Sequence, residues 1–239
     1  MRIDPDKCSG CGQCIPYCPV NAIALRDDMA RIDFDECVEC SNCIRNADCP
    51  TDAIYQQELA WPRIIRKVLS DELATGTTTG IPGRGTEEMK TNDVTGRFKR
   101  GDAGIAVEFG RPISGARIYD VEKVAQAVAK IGVEFEKLNP TISLMEDPKT
   151  GRFKKEVLNE KVMSLILEFT VELSKLPEVI ELLKKASQEI DTVFSLDLIT
   201  KVAPDGSFPT DPIVKDLGLW VAPNGKTCVG LGRPLAKEV

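Results

Sequence analysis

The sequence contains no histidine among its 239 residues. This absence excludes a Ser–His–Asp triad, a Cys–His catalytic pair and any metal site with an imidazole ligand. It also removes the side chain that enzymes use most often as a general base. No fingerprint for a flavin, a pterin or a nucleotide is present either. A catalytic site formed by this chain alone is therefore not expected.

The sequence also lacks any apolar run near the ~18 residues that cross a membrane as a helix. Its first residues, Met-Arg-Ile-Asp-Pro-Asp, do not contain the apolar core of a secretory signal. Structural disulfides are rare in the reducing cytoplasm, where cysteines serve as ligands instead. We therefore expect no membrane span, and a cytoplasmic protein of the kind used in anaerobic metabolism.

Negative charge is confined to one end of the chain. Residues 1–60 contain five Arg/Lys and eleven Asp/Glu, a net charge of −6, whereas residues 61–239 are neutral. An acidic surface steers a protein toward a basic docking patch on a partner, and it disfavours binding to nucleic acid. We expect protein partners with a basic patch and no nucleic-acid partner.

Eight of the nine cysteines lie within residues 8–50, in two copies of one pattern. Each copy has three cysteines at Cys-x-x-Cys-x-x-Cys spacing, and a fourth cysteine followed by proline. The segments after the fourth cysteine also match, Pro-Val-Asn-Ala-Ile against Pro-Thr-Asp-Ala-Ile. The triplets are 29 residues apart, which indicates an internal duplication: Cys8, Cys11, Cys14 and Cys18 form the first copy, and Cys37, Cys40, Cys43 and Cys49 form the second.

This spacing has a chemical reason. Three cysteines in one tight loop can reach three corners of an iron–sulfur cube, and the fourth cysteine ligates the other cluster. Gly10 and Gly12 are expected to allow close backbone approach to the first cluster. The pattern therefore predicts two [4Fe–4S] clusters with crossed ligation: Cys8, Cys11, Cys14 and Cys49 hold the first, and Cys37, Cys40, Cys43 and Cys18 hold the second.

The motifs CSGCGQCIPYCP and CVECSNCIRNADCP resemble those of the bacterial two-cluster ferredoxins. The resemblance covers about residues 1–56 and implies a two-[4Fe–4S] ferredoxin domain that transfers electrons. The second motif departs from the first, because five residues separate Cys43 from Cys49 where three separate Cys14 from Cys18. We expect the two extra residues to bulge beside one cluster and to alter its solvent exposure.

Two alternatives to iron–sulfur clusters remain for these cysteines. Structural zinc usually takes two separated Cys-x-x-Cys pairs rather than interleaved triplets. A disulfide framework requires an oxidising compartment. Both are disfavoured by the spacing and by the N-terminal sequence.

Residues 104–203 have the periodicities of a second folded unit. The predicted elements are, in chain order, a strand at Ile105–Phe109, a helix after Asp120, a strand within 133–146, a long alternating strand at 163–173, a helix at 176–190 and a strand at 194–202. This βαββαβ order is that of the ferredoxin-like sandwich, so the predicted fold class is α+β. The sheet face opposite the helices is expected to be polar and to carry Glu108, Glu168, Thr170, Glu172, Ser195 and Asp197.

The element order and the helix Leu-Pro-Glu-Val-Ile-Glu-Leu-Leu resemble the small ACT-type regulatory domains. The resemblance implies a unit that pairs with its own copy or with another subunit, and that in some cases binds a small ligand. A purely structural docking module is the alternative.

The remaining segments are less regular. Residues 57–103 are predicted to be a helix to about residue 73 and then a Gly-rich linker, in which Gly83-Arg84-Gly85 is a weak phosphate-binding candidate. Residues 204–239 form a Pro-rich extension with two possible short strands. Cys228 is expected to be a small buried residue, and Arg111 and Arg233 form a possible anion site. Thr-Gly-Arg-Phe-Lys occurs at 95–99 and at 150–154 and suggests two turns with glycine at positive φ.

Three functions are consistent with these features. The first is a low-potential electron-transfer protein, or the electron-transfer subunit of a larger redox complex, with a C-terminal docking or oligomerisation domain. The second is a metabolite-sensing regulator with an ACT-like ligand-binding domain and structural or redox-sensing clusters. The third is an enzyme with its own substrate site, which the missing histidines disfavour.

Overall fold

The computed structural model describes residues 1–74, 89, 93, 96–110, 115–221 and 223. Several of the predicted features lie outside these residues: most of the Gly-rich linker, the Gly83-Arg84-Gly85 candidate, Arg111, Arg233, Cys228 and the second predicted strand of the extension. Among the described residues, no helix has the length and apolar character needed to cross a bilayer.

Residues 1–56, which we call the cluster unit, contain four short strands and one short α-helix. Strand β1 (Arg2–Ile3) pairs antiparallel with β4 (Ile54–Tyr55), and β2 (Ile23–Arg26) forms a hairpin with β3 (Met29–Ile32). Helix α1 spans Asn42–Asn46. The β1–β4 pair joins the two ends of the unit.

A short helix, α2 (Ile64–Val68), follows the cluster unit. It is shorter than the helix predicted for 57–73. After the helix, the Asp71 carboxylate accepts a hydrogen bond from the Leu73 N–H at 3.0 Å and forms a local turn. Ile65 and Leu69 are buried in the core of the C-terminal part, so this segment packs against both parts of the chain.

Residues 102–199, which we call the sheet unit, form an antiparallel sheet with two helices. In chain order the elements are β5 (Asp102–Phe109), β6 (Ala116–Arg117), α3 (Ile118–Ala129), β7 (Glu134–Phe135), β8 (Met145–Asp147), β9 (Arg152–Phe153), β10 (Lys161–Val162), β11 (Leu165–Glu172), α4 (Leu176–Ala186) and β12 (Phe194–Ile199). Helix α5 (Asp211–Asp216) follows the unit.

The main sheet has the strand order β12–β5–β11–β7, and all its neighbours are antiparallel. Alternate residues of β5 and β11 face α3 and α4 and form the main core. The short pairs β6–β10 and β8–β9 are additions to the predicted order. The α+β class is confirmed. Asp120 is not the N-cap of α3, since the helix begins at Ile118 and Asp120 lies buried in its first turn.

The second face of the sheet is not a solvated polar surface throughout. Phe98 and Met89 pack there against Ala106 and Ile166. Glu168 is only 2% exposed and accepts a hydrogen bond from the Asn139 side chain at 2.7 Å. Glu168 is therefore buried on this face, because the chain folds back over it.

The repeated Thr-Gly-Arg-Phe-Lys segments have the predicted backbone conformation. Gly96 and Gly151 have φ values of 65° and 72°, and the glycine turn precedes a buried ring in each copy. Phe98 and Phe153 are each 1% exposed. The repeat therefore turns the chain and inserts an aromatic side chain into two different clusters of the core.

Candidate iron–sulfur centre

The eight predicted ligands line two separate cavities in the cluster unit. The cysteines of the first cavity are Cys8, Cys11, Cys14 and Cys49. The cysteines of the second are Cys18, Cys37, Cys40 and Cys43. The structure thus brings together the two crossed sets that the spacing predicts, three cysteines from one motif with the fourth from the other.

The cysteines surround a space rather than converge on a point. A zinc ion needs four sulfurs at about 2.3 Å from one centre. In the described part of the chain, no three Cys, Asp or Glu side chains are arranged to hold a single metal ion. All eight cysteines of the motifs are free thiols, and apolar side chains such as Ile3, Ile54, Ile23 and Ile32 complete the walls. This donor set fits a cluster of several irons.

The duplicated loops have the same backbone shape but different side chains. Gly10 and Gly12 have φ values of 71° and 72°, and the residues 29 positions later, Glu39 and Ser41, have φ values of 58° and 61°. A Cβ at Gly10 would lie 2.1 Å from the Asp28 carbonyl oxygen. Any side chain at position 10 would clash with the turn of the β2–β3 hairpin. The hairpin, and not only a cluster, therefore requires glycine at this position. The second copy adopts the left-handed conformation without glycine, at a cost of about 1–2 kcal/mol per residue.

Backbone N–H groups point at the sulfur atoms. The Ala22 N–H donates to the Cys18 sulfur at 3.1 Å, and the Ala53 N–H donates to the Cys49 sulfur at 3.3 Å. These alanines occupy the same place in the two copies, four residues after the fourth cysteine. The Ala30 N–H adds a bond to the Cys8 sulfur at 3.4 Å. Such donors favour the thiolate form that ligates iron.

Burial disfavours the thiolate form of most of the eight motif cysteines. Desolvation raises the pKa values of Cys14, Cys37 and Cys40, and raises the pKa of Cys43 to about 12. Burial also acts against the Cys49 thiolate, but the N–H donors of Thr51 and Ala53 outweigh it and lower the pKa of Cys49. Metal coordination deprotonates a thiol outright, so iron held by these cysteines would overcome the desolvation and release protons.

The two cavities differ in their access to solvent. Cys11 is exposed at the first cavity, whereas Cys37 and Cys43 at the second are buried. The two extra residues of the second motif, Ala47 and Asp48, lie between the end of helix α1 at Asn46 and Cys49, and Asp48 has a φ of 45°. The bulge beside one cluster stays a prediction.

Arginines surround the second cavity, and no motif or spacing in the sequence assigns them a role there. Arg66 Nη1 donates to the Cys37 carbonyl oxygen at 2.9 Å and Arg63 Nη2 donates to the same oxygen at 3.4 Å. Arg45 of α1 donates to the Cys40 carbonyl at 3.0 Å and pairs with Asp71 at 2.8 Å. Three guanidinium groups therefore bind the backbone of ligands that belong to one cavity.

Glu39 is the buried anion of this region, with 0% exposure. It accepts from Arg63 Nε at 2.8 Å and from Gln56 Nε2 at 3.1 Å, and it pairs with the Met1 ammonium. Burial acts to raise the pKa of Glu39, but these donors outweigh it and lower that pKa. The carboxylate therefore stays ionised where the backbone is left-handed, and its partners hold the loop in that conformation.

Part of the acidic excess is neutralised within the chain. Arg117 donates to Asp35 at 2.8 Å and also binds Glu36, which pairs with Lys161 as well. The hydrogen bond from Arg117 lowers the pKa of Asp35, and the one from Lys161 lowers the pKa of Glu36. These pairs tie the loop before Cys37 to strands β6 and β10 of the sheet unit. The acidic surface available to a partner is therefore smaller than the sequence predicts.

Comparison with known proteins identifies the N-terminal part of the chain only. A family model described as a 4Fe-4S binding domain matches residues 1–24. Ferredoxin-1 of Rhodobacter capsulatus is 50% identical over 40 residues, which are 17% of this chain and 62% of that protein. The ferredoxin-like protein in vnf region of Azotobacter vinelandii is 39% identical over 61 residues, which are 23% of this chain and 91% of the relative.

A third relative is much longer than the match. A putative iron-sulfur subunit of dimethyl sulfoxide reductase from Halobacterium salinarum is 41% identical over 56 residues, 22% of this chain and 21% of that protein. No solved structure matches the chain. The family model and the ferredoxin relatives indicate 4Fe–4S clusters, and eight cysteines around two cavities are consistent with two of them. Since a ferredoxin-like relative is covered almost from end to end, the chain belongs to the ferredoxin family through this N-terminal part.

Proposed function

We propose that the chain is a low-potential electron-transfer protein, or the electron-transfer subunit of a larger redox complex. The observation that carries this function is the pair of cavities, each lined by four cysteines drawn from both motifs. Cys8, Cys11, Cys14 and Cys49 would hold the first [4Fe–4S] cluster, and Cys18, Cys37, Cys40 and Cys43 the second. The clusters supply one-electron storage, while the chain supplies thiolates, N–H donors and exclusion of water.

The crossed arrangement makes the two sites depend on each other. Cys18 belongs to the first motif but lines the second cavity, and Cys49 belongs to the second motif but lines the first cavity. Exposed Cys11 makes the first cluster the one nearer to an external partner. We propose a redox partner protein with a basic docking patch, attracted by exposed acids such as Asp6, Asp27 and Asp28 near that cavity. We also propose a cytoplasmic setting, because the eight motif cysteines would serve as cluster ligands and not as a disulfide framework.

We propose that residues 1–56 and 104–203 are separate domains, joined by the segment 57–103 and followed by the extension 204–239. The strand order β12–β5–β11–β7 with two helices on one face supports an ACT-like, ferredoxin-like sandwich. The sandwich would dock the carrier onto its complex or onto its own copy. The same architecture also supports the alternative of a metabolite-sensing domain, since this fold alone does not fix a function.

Metal analysis tests the electron-carrier proposal. Anaerobically purified protein should contain close to eight irons and eight acid-labile sulfides per chain, and it should accept about two electrons from a low-potential reductant. Cys228→Ala is the matched control, because Cys228 belongs to neither motif, and its iron content should be unchanged. About four irons per chain, or zinc in their place, would overturn the assignment. Specific binding of a metabolite to the full chain, with no change in the extent or the rate of electron uptake, would favour the alternative of a metabolite-sensing regulator.

A further inference from the structure

Buried charged groups lie beside the second proposed cluster: Glu39 is paired with Arg63 and the Met1 ammonium, and Arg66 contacts the backbone of a ligand. Arg66 is 2% exposed and lies between the second cavity and the sheet unit. Its Nη1 donates to the carbonyl oxygens of Cys37 and Asp35. Its Nε donates to the carboxylate of Glu160, 94 residues further along the chain. One guanidinium group thus connects a proposed ligand of the second cluster to the other half of the protein.

The contacts at Arg66 fix its position from several sides. Helix α2 places the residue, and its neighbours Ile65 and Leu69 are anchored in the main core. The Asp35 carboxylate lies 3.7 Å from Nη2 on its exposed side. In the described part of the chain, no arginine or lysine donates a hydrogen bond to the backbone of the four cysteines at the first cavity. A buried charge acts through little solvent, so its effect on a neighbouring redox centre is weakly screened.

We propose that Arg66 is a positioning residue that raises the reduction potential of the cluster held by Cys18, Cys37, Cys40 and Cys43. Reduction adds one negative charge to the cluster, and a fixed cation stabilises the reduced form more than the oxidised form. Net charge, hydrogen bonding and solvent exposure are the properties that set cluster potentials. Glu160 carries the opposite charge and partly cancels the effect of Arg66. The sheet unit therefore takes part in setting the potential of this cluster.

This inference rests on the proposed function, because it requires both clusters to be present. Iron and sulfide content, measured on every variant, reports on that proposed function separately. Loss of both clusters from the unmodified protein would defeat the electron-carrier proposal. Eight irons with unaltered potentials in the variants would defeat only the role of Arg66.

The test is an anaerobic redox titration of the full chain, followed by electron paramagnetic resonance that resolves the two clusters. In Arg66→Gln, the potential of the second cluster should shift to a more negative value while that of the first stays unchanged. Arg66→Lys retains the positive charge, so the potential of its second cluster should stay close to that of the unmodified protein. In Glu160→Gln, the amide oxygen can still accept from Arg66, so the cation stays in place. The potential of the second cluster should then shift to a more positive value.

The opposite signs separate an electrostatic role from a structural one. A general loosening of the interface would shift the potential in the same direction in Arg66→Gln and Glu160→Gln, and that result would overturn the proposal. Arg152→Gln is the matched control, since it removes the same charge at an exposed site on β9, and neither potential should change. If Arg66→Gln loses the second cluster, Arg66→Lys and Glu160→Gln still decide the question. Unchanged potential in Glu160→Gln would then count against the proposal.

Discussion

At the scale of single residues, the two cysteine loops reach the same left-handed backbone by different means. The first loop uses Gly10 and Gly12, whereas the second uses Glu39 and Ser41. Glu39 is fully buried and is held by Arg63 and Gln56. The contacts of its carboxylate thus offset the conformational strain of its own backbone. The second loop is therefore more dependent on residues outside the loop than the first.

The crossed pairing of the cysteines gives a residue-scale prediction. Cys18→Ala should damage the cluster that Cys37, Cys40 and Cys43 hold, because its sulfur lies at the second cavity. Iron content should fall from about eight toward four, and magnetic resonance of the reduced protein should lose the signal of the second cluster. Cys49→Ala is the mirror-image variant and should affect the first cluster. Loss of the first cluster in Cys18→Ala would refute the pairing.

At the scale of elements, helix α2 contributes to the second cavity although it follows the last cysteine. Arg63 and Arg66 bind the Cys37 carbonyl, and Asp71 holds Arg45 beside Cys40. The cysteine motifs alone therefore do not contain everything that supports the second cluster. Helix α1 of the second motif carries Arg45 to this contact.

Two truncations test this role of α2. A chain that ends at residue 58 contains all eight cysteines but leaves Glu39 without Arg63. Removing one partner of a buried charge pair costs about 3–5 kcal/mol, a large part of the ~5–15 kcal/mol that stabilises a domain. We expect the 1–58 chain to lose its second cluster in air faster than a chain that ends at residue 74, as followed by visible absorbance and iron content.

Glu39→Gln in the 1–58 chain is the matched control, because it removes the charge that has lost one of its two cationic partners and keeps only the Met1 ammonium. This variant should regain part of the lost cluster stability. Equal lifetimes for the 1–58 and 1–74 chains would show that α2 is not needed to support the cluster.

At the scale of the whole molecule, ion pairs divide the acidic residues of the cluster unit into two groups. Asp35 and Glu36 face Arg117 and Lys161 of the sheet unit, and they hold the two halves together. Asp27 and Asp28 lie exposed on the turn between β2 and β3, beside the first cavity. The second group, together with the exposed Asp6, Asp48 and Asp52, is available to steer a partner.

Electron transfer from the reduced chain to a basic one-electron acceptor protein should therefore depend on Asp27 and Asp28. The double variant Asp27→Asn/Asp28→Asn should lower the second-order rate constant several-fold at low salt, since electrostatic steering accounts for factors of about 10–10³. Asparagine tolerates the positive φ of both positions, so the turn should be retained. Rates are measured by stopped flow across a salt series, and the difference should vanish at high salt.

The control for this experiment is Glu156→Gln/Glu178→Gln, which removes two exposed charges from the sheet unit. Its rate constant should stay near that of the unmodified chain. An equal decrease in both double variants would mean that net charge, rather than the acidic turn, governs the encounter.

The sequence by itself determined which cysteines meet and which elements form the sheet. Cysteine spacing within a tight loop is a local property of the chain, and the duplication repeats it. The alternation in β11 and the helical periodicity in α3 and α4 are local as well. The tertiary structure alone decided that Arg66 joins Cys37 to Glu160, and that Glu168 is buried beside Asn139. Each of those contacts joins a charged side chain to a polar or charged group far away in the chain, and such pairs produce no spacing or period that a sequence can reveal.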